Sequence, residues 1–348
     1  MSAVERASRV GQRASQERPP AASFWLGAIL VSAALLLGVC GLAAGSAGWS
    51  FAVSDSQLIL SIRAPRTLGA FIAGNLLGLA GAIAQGVFRN PLADPYLLGS
   101  ASGATLGIVL VLAAGGLVGI PLGITATAWL LKLGLVGASF GGALAGVGLT
   151  LALSRGAGQP SVLLLAGVVV GVLLGAFANL VLIVSPEALR GAQIFLLGTT
   201  AFLGWRSVGP LAAALAIALP IAVRYSRALD ALVLGEFTAA SLGIAVPRIR
   251  LLLIITMALC TGVAVAETGL VAFVGLVAPH LVRRSVVVTH GTLLVLAALA
   301  GGALLLAADV VARSILPPQE LPVGLLTAIV GGMYLLALLH RRTTGVER

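Results

Sequence analysis

Apolar residues run along this chain in long blocks broken by short polar punctuation, and most blocks keep no polar face. Alternation with a period of two would point to half-buried strands, and a polar stripe every 3.6 residues to helices on a water-facing surface. Blocks that are apolar all round, about twenty residues long, instead fit helices whose surroundings are hydrocarbon. A crossing needs roughly 20 apolar residues to cover about 30 Å. The pattern predicts ten spans, near 24–44, 67–87, 98–117, 125–153, 162–184, 208–223, 251–266, 270–282, 292–311 and 322–340. The charge-free run 96–132 is too long for one crossing, and Pro121 and Gly123 mark a turn in it. Between the fifth and sixth spans, the apolar stretch 194–203 suits a segment folding back into the membrane mouth. The first apolar run is long for the core of a cleaved leader, so it is read as a retained span.

One polar interval is not simple punctuation. Residues 224–250 (RYSRALDALVLGEFTAASLGIAVPRIR) carry Asp230, Glu236 and several arginines, and include the pairs Leu234-Gly235 and Leu242-Gly243. Leu229, Leu232 and Val233 recur at helical spacing; a glycine interrupts, and Phe237 and Leu242 open a second short amphipathic piece. Such a segment is too polar to span lipid and too apolar to float free in water. Two uses suit it: pressing an apolar face on another protein at the cytoplasmic surface, or resting on lipid headgroups.

Composition agrees with the pattern: 59% hydrophobic, 9% charged, and a mean hydropathy of +1.12. The 45 glycines suit a bundle in which helices approach closely although no hydrophobic effect drives them together. The formal charge of +10 raises nucleic acid as a partner, but the arginines sit at the ends of apolar runs. With both termini inside, most of the 21 Lys and Arg fall on the cytoplasmic side, as the positive-inside bias requires. The organisation read from these features is a polar tail at 1–23, one transmembrane domain at 24–342 containing the 224–250 loop, and a short tail at 343–348. Arg63-Ala64-Pro65-Arg66 before the second span echoes Pro247-Arg248-Ile249-Arg250 before the seventh. The echo predicts an inverted repeat of spans 2–5 and 7–10.

The chemistry on offer is sparse. A P-loop needs GxxxxGK[ST], and the one lysine, Lys132, lies in LLKLG, so the chain does not hydrolyse nucleotide by that device. Cys40 and Cys260 are far apart in apolar runs, with neither metal-ligand nor disulfide spacing. His280, His290 and His340 fall near cytoplasmic helix ends, away from any midplane metal path, so no metal site is expected. An acid within the membrane costs on the order of 2.5–3.5 kcal/mol or more and marks function by default. Here Glu267 sits at a turn, and Asp309 stands four residues before Arg313 on one helical face, an ion pair. No spaced midspan carboxylates remain for an ion-coupled carrier working alone, and no membrane-enzyme motif is present. Arg63, Arg66 and Arg313 are predicted at the external mouth. There they either offer guanidinium forks to a partner's carboxylates or meet headgroups and Asp309.

Several stretches together resemble one family. They are RAPRTLGAFIAGNLLGLAGAIAQGVFRNPLADPYLLGSASGA (63–104), LLLAG (163–167), LVLGEFTAASLG (232–243), GLVAFVGLVAPHLVRR (269–284), ADVVAR (308–313) and ELPVGLLTAIVGG (320–332). In this order they are similar to the FecCD family, the permease subunits of ABC importers for iron chelates, haem and cobalamin. The resemblance implies a ten-helix subunit paired as a homodimer around a central pathway. Two cytoplasmic ATPases would bind ATP and Mg, a periplasmic binding protein would deliver cargo, and the chain itself would carry no cofactor and do no catalysis. It assigns ATPase coupling to Leu234, Gly235, Glu236, Leu242 and Gly243, and binding-protein docking to Arg63, Arg66 and Arg313. It assigns the cytoplasmic gate to Asn90, Pro91, Leu92 and Ser161. Phe195 and Gly331-Gly332-Met333 depart from the family pattern near the route. Read this way, the protein is a multi-pass bacterial inner-membrane permease for haem or a ferric siderophore, with cobalamin, or an ion-coupled carrier of another class, as alternatives.

Overall fold

Helix α1 (Ala21–Ala43) begins a little ahead of the first predicted span and ends in a two-residue antiparallel ribbon, Ala44–Gly45 against Gly48–Trp49. The computed structural model describes residues 21–45, 48–49, 56–117, 126–154 and 159–345. The rest of the N-terminal tail, the turn expected at Pro121 and Gly123, the inner loop at 155–158 and residues 346–348 lie outside the described residues. A helical turn, Ser56–Leu58, and a π-helical turn, Ile59–Arg63, run unbroken into α2 (Ala64–Val87).

A loop and a short 3₁₀ turn (Pro95–Leu98) then lead to α3 (Ser100–Leu117), α4 (Ala126–Leu153) and α5 (Pro160–Val184). Next come α6 (Pro186–Leu197), α7 (Trp205–Arg224), α8 (Ser226–Val233) and α9 (Glu236–Ser241). The chain closes with α10 (Val246–Thr268), α11 (Val274–Ser285), α12 (His290–Ser314) and α13 (Val323–Gly345). Pro160, Pro186 and Pro247 stand in the first turns of α5, α6 and α10, where the missing N–H costs nothing.

Every predicted span overlaps a helix, and the chain is a polytopic helical membrane protein. The count of ten is not reached by length and hydropathy alone: seven helices among the described residues meet that requirement. The eighth span is the clearest difference. Gly269 and Phe273 take positive φ, so α11 starts at Val274 and has 12 residues. At 1.5 Å each they cover about 18 Å, well short of the hydrocarbon thickness. The stretch 194–203 does not fold back as one piece: α6 takes it as far as Leu197, and Gly198 at φ +66 turns the chain away.

Helix α2 is the axis. Its most apolar window is 89% buried, against 11% for α1 at the periphery, and it packs on α7, α10, α11 and α12. Glycines permit this crowding. A methyl placed on Gly78 would be driven into the Ala297 carbonyl of α12, and one on Gly81 into the Gly275 carbonyl of α11. Packing is also reciprocal between the two halves: α2 lies against α11 and α12, and α10 lies against α3 and α4.

Candidate functional site

Polar contacts gather at the two ends of the bundle. At one end, Glu236 opens α9 directly after Gly235, whose φ of +111 and ψ of 154 belong to a region that only glycine occupies cheaply. One oxygen of Glu236, Oε1, accepts from Nη2 of Arg250 at 2.6 Å and from Nη2 of Arg89 at 3.4 Å. Arg250, in α10, is almost wholly buried, so it fixes the carboxylate from below. The far end of α9 closes on Gly243 at φ +80: the Gly243 N–H donates to the Ala240 carbonyl and the Ile244 N–H to that of Ala239. This is the Schellman pattern, with a left-handed residue just past the helix.

Around these two glycines the segment shows water its apolar side. Phe237 is 95% exposed, and Val233, Leu234 and Leu242 are exposed with it, while Leu229 and Leu232 on α8 point into the core. The 224–250 loop is therefore a clamped platform with an apolar outer face. Asp230 ties it to the bundle, accepting from the His290 backbone N–H at 2.9 Å and facing His290 Nδ1 at 2.7 Å.

The loop that follows α2 lies at the same end. Asn90, Pro91 and Leu92 are exposed, and Asn90 Oδ1 accepts from the Leu92 N–H at 2.9 Å. Ser161 is exposed in the first turn of α5. Asp94 caps the 3₁₀ turn through the Tyr96 N–H at 2.8 Å, and burial pushes its carboxyl above the ordinary range against that bond. Burial, and next the Asp94 charge, push the Tyr96 phenol upward, and its hydroxyl donates to the Val271 carbonyl at 3.1 Å. Thr150 of α4 donates to the Leu98 carbonyl at 3.0 Å. A cavity of about 390 Å³ opens beside this turn, between Asp94, Ser102 and Gly171.

At the opposite end Asp309 is the hub. It is fully buried on α12 and accepts from Arg66 of α2 at 3.0 Å, from Arg313 one turn on, and from Thr200 between α6 and α7. Arg66 also reaches Glu320 at 2.8 Å. Arg313 donates to the Gly41 and Ala44 carbonyls, and Arg63 to those of Leu42 and Ala43. The three arginines do not stand open at the mouth as forks: all three are buried and engaged within the chain. The Asp309–Arg313 pair follows from spacing; Arg66, Thr200 and Glu320 as its neighbours do not. The only hint of them in the sequence is that all three fall on the outer side of the predicted spans.

Phe195 stands on α6, where its carbonyl accepts from the Leu270 N–H, and Gly331 packs against Phe273. His280 stacks edge-on with Tyr334. Among the described residues no cluster of three metal-ligating side chains occurs, and Cys40 and Cys260 are free thiols.

A helical bundle with seven helices long and apolar enough to cross a membrane among the described residues, an exposed apolar platform at one end and a buried ionic hub at the other defines a polytopic membrane protein. The FecCD transport family model matches residues 26–341, and the chain belongs to that family. It is 38% identical over 301 residues to the hemin transport system permease protein of Yersinia pestis, covering 84% of this chain and 87% of that one. It is 35% identical over 318 residues to the vitamin B12 import system permease protein of Escherichia coli O139:H28, covering 89% and 92%. Among solved structures, a metal-chelate type ABC transporter in an inward-facing conformation superposes with a TM-score of 0.78 at 28% identity, covering 92% of this chain and 99% of that one. Family membership makes the chain the multi-span membrane channel subunit of an ABC importer and not an enzyme. It works with a substrate-binding protein, and hydrolysis belongs to a separate ATPase.

Proposed function

We propose that this chain carries a preformed iron chelate, haem or a ferric siderophore, across the bacterial inner membrane as one of two identical copies around a shared pathway. In this reading 24–342 is a single ten-span domain built on an inverted repeat, and both termini are cytoplasmic. The chain holds no cofactor, and its partner ATPases bind ATP and Mg. The α8–α9 platform at Leu234, Gly235, Glu236, Leu242 and Gly243 receives the ATPase. The loop at Asn90, Pro91 and Leu92 closes the pathway against the start of α5 at Ser161. Arg63, Arg66 and Arg313 serve the binding protein at the opposite face, once their internal partners yield.

The observation that carries the coupling assignment is the exposure of Phe237, Leu234 and Leu242 on a segment whose ends are fixed by Gly235, Gly243 and the Glu236–Arg250 pair. An apolar patch held rigid in water is a docking surface. Reciprocal packing of α2 on α11 and α12, and of α10 on α3 and α4, supports the repeat. The likeness to the hemin permease supports the cargo class, and the likeness to the B12 permease keeps a corrinoid as the second reading. A large chelate passes best along walls that bind it weakly enough to let go.

The test is reconstitution with the cognate ATPase and binding protein in liposomes. Haemin, ferric citrate and cobalamin are offered in turn, and ATP-dependent uptake of one of the iron chelates is the expected result. Uptake driven by a proton gradient with no ATPase present would return the chain to the class of secondary carriers.

A further inference from the structure

We propose that Arg89 is a positioning residue that carries movement of the α8–α9 platform to the loop at Asn90, Pro91 and Leu92 through Glu236. This rests on the reading of that platform as the ATPase contact. Helix α2 ends with the Arg89 N–H donating to the Gly86 carbonyl and the Asn90 N–H donating to the Gln85 carbonyl. That is the same Schellman closure that ends α9 at Gly243. Here, however, the left-handed position is filled by arginine at φ +50, one of two non-glycine residues with positive φ among the described residues. Glycine would take that conformation without the clash between Cβ and the following carbonyl. A strained backbone that carries a charged side chain is a reason to ask what the side chain does.

It reaches Glu236. The same Oε1 that buried Arg250 holds at 2.6 Å takes Arg89 Nη2 at 3.4 Å. Arg250 already supplies the countercharge, so Arg89 is not required to neutralise Glu236. What Arg89 adds is a mechanical link between two segments 147 residues apart. On one side the link is rooted in the platform. On the other it is the residue directly before a turn held by Asn90 Oδ1 and the Leu92 N–H, so displacing Arg89 displaces that turn. The pair is also the exposed one of the two: Arg89 and Glu236 side chains are 40% and 35% exposed, against 1% for Arg250. Exposed pairs are weak and break readily. Arg250–Glu236 is thus the permanent anchor, and Arg89–Glu236 is the joint that makes and breaks in the cycle.

The experiment needs no knowledge of the cargo. In the complete complex, with Cys40→Ala and Cys260→Ala, a Leu92→Cys label site is reacted with a maleimide before and after ATP–vanadate trapping. The rate is expected to change on trapping. Arg89→Gly relieves the backbone, so it folds at least as well while lacking the side chain. It should diminish the change in labelling rate, by up to about fivefold, the upper worth of one exposed ion pair, while vanadate is still trapped. Arg89→Lys should retain part of it, and Arg89→Gly with Glu236→Gln should be no worse than Glu236→Gln alone. If Arg89→Gly responds as the parent does while Glu236→Gln does not, the Arg89 link is overturned and the platform reading survives. If Glu236→Gln also responds normally, the platform reading itself falls.

Discussion

Arg66 and Asp309 lie 243 residues apart in the chain and 3.0 Å apart in space, both buried where α2 crosses α12. The carboxylate also serves Arg313 and Thr200, so one negative group answers two guanidiniums in a place that water does not reach. Removing it leaves buried Arg313 without its salt-bridge partner beside Arg66, which Glu320 then holds alone.

Asp309→Ala is therefore expected to be among the most damaging single changes in the protein, costing on the order of 3–5 kcal/mol, because a broken buried pair leaves an uncompensated charge. Arg66→Met with Glu320→Gln removes charge more evenly and should cost less. Unfolding in mixed micelles, scored against the parent, ranks the two variants; a milder Asp309→Ala would contradict the hub.

The two glycines of the platform should respond differently to the same substitution. Gly243 closes a Schellman motif, with open space where a Cβ would stand, so Gly243→Asn should keep uptake near normal and Gly243→Val should lose it. Gly235 has φ +111 and ψ 154, a region asparagine does not favour, so Gly235→Asn should lose coupling at a cost of about 1–3 kcal/mol of strain. Uptake per ATP hydrolysed, measured for all three variants, checks the order.

Glu320 holds the outer side of Arg66 and is itself partly exposed. If acidic lobes of the binding protein compete for that arginine, Glu320→Gln should tighten docking about two- to fivefold, the worth of one exposed pair. Arg66→Glu should weaken docking, and both effects should shrink as salt is raised. Binding measured at two ionic strengths decides it. Affinity indifferent to both variants and to salt would remove Arg66 from the docking surface.

Asp94 offers a test in pH. Burial raises its carboxyl above the unfolded value, so ionising it costs folded stability once pH is above that range; at pH low enough to protonate both states the cost is absent. Asp94→Asn keeps an oxygen for the Tyr96 N–H and removes the ionisation. It should be more stable than the parent at neutral pH, with the gain fading as pH falls toward about 4. A gain that grew on acidification would have the wrong sign.

The sequence by itself determined the class of structure, because the cost of leaving backbone polar groups unpaired in hydrocarbon forces long apolar runs into helices. It determined the 224–250 segment as a surface element, since Leu229 and Leu232 on one side and Glu236 and Arg227 on the other allow neither burial nor full solvation. It determined the Asp309–Arg313 pair, which one turn of helix dictates. Only the tertiary structure decided what meets α2. Arg66 with Glu320, Arg89 with Glu236, and Gln85 with the Leu276 carbonyl are contacts between distant segments, and no local period encodes them. It also decided that α11 is short, because the positive φ at Gly269 and Phe273 follows from how that turn packs against α6 and α13, as the Gly331–Phe273 contact illustrates. Span patterns report on lipid, which every apolar residue meets alike; partners across the bundle depend on which helices are neighbours, and that is settled by packing.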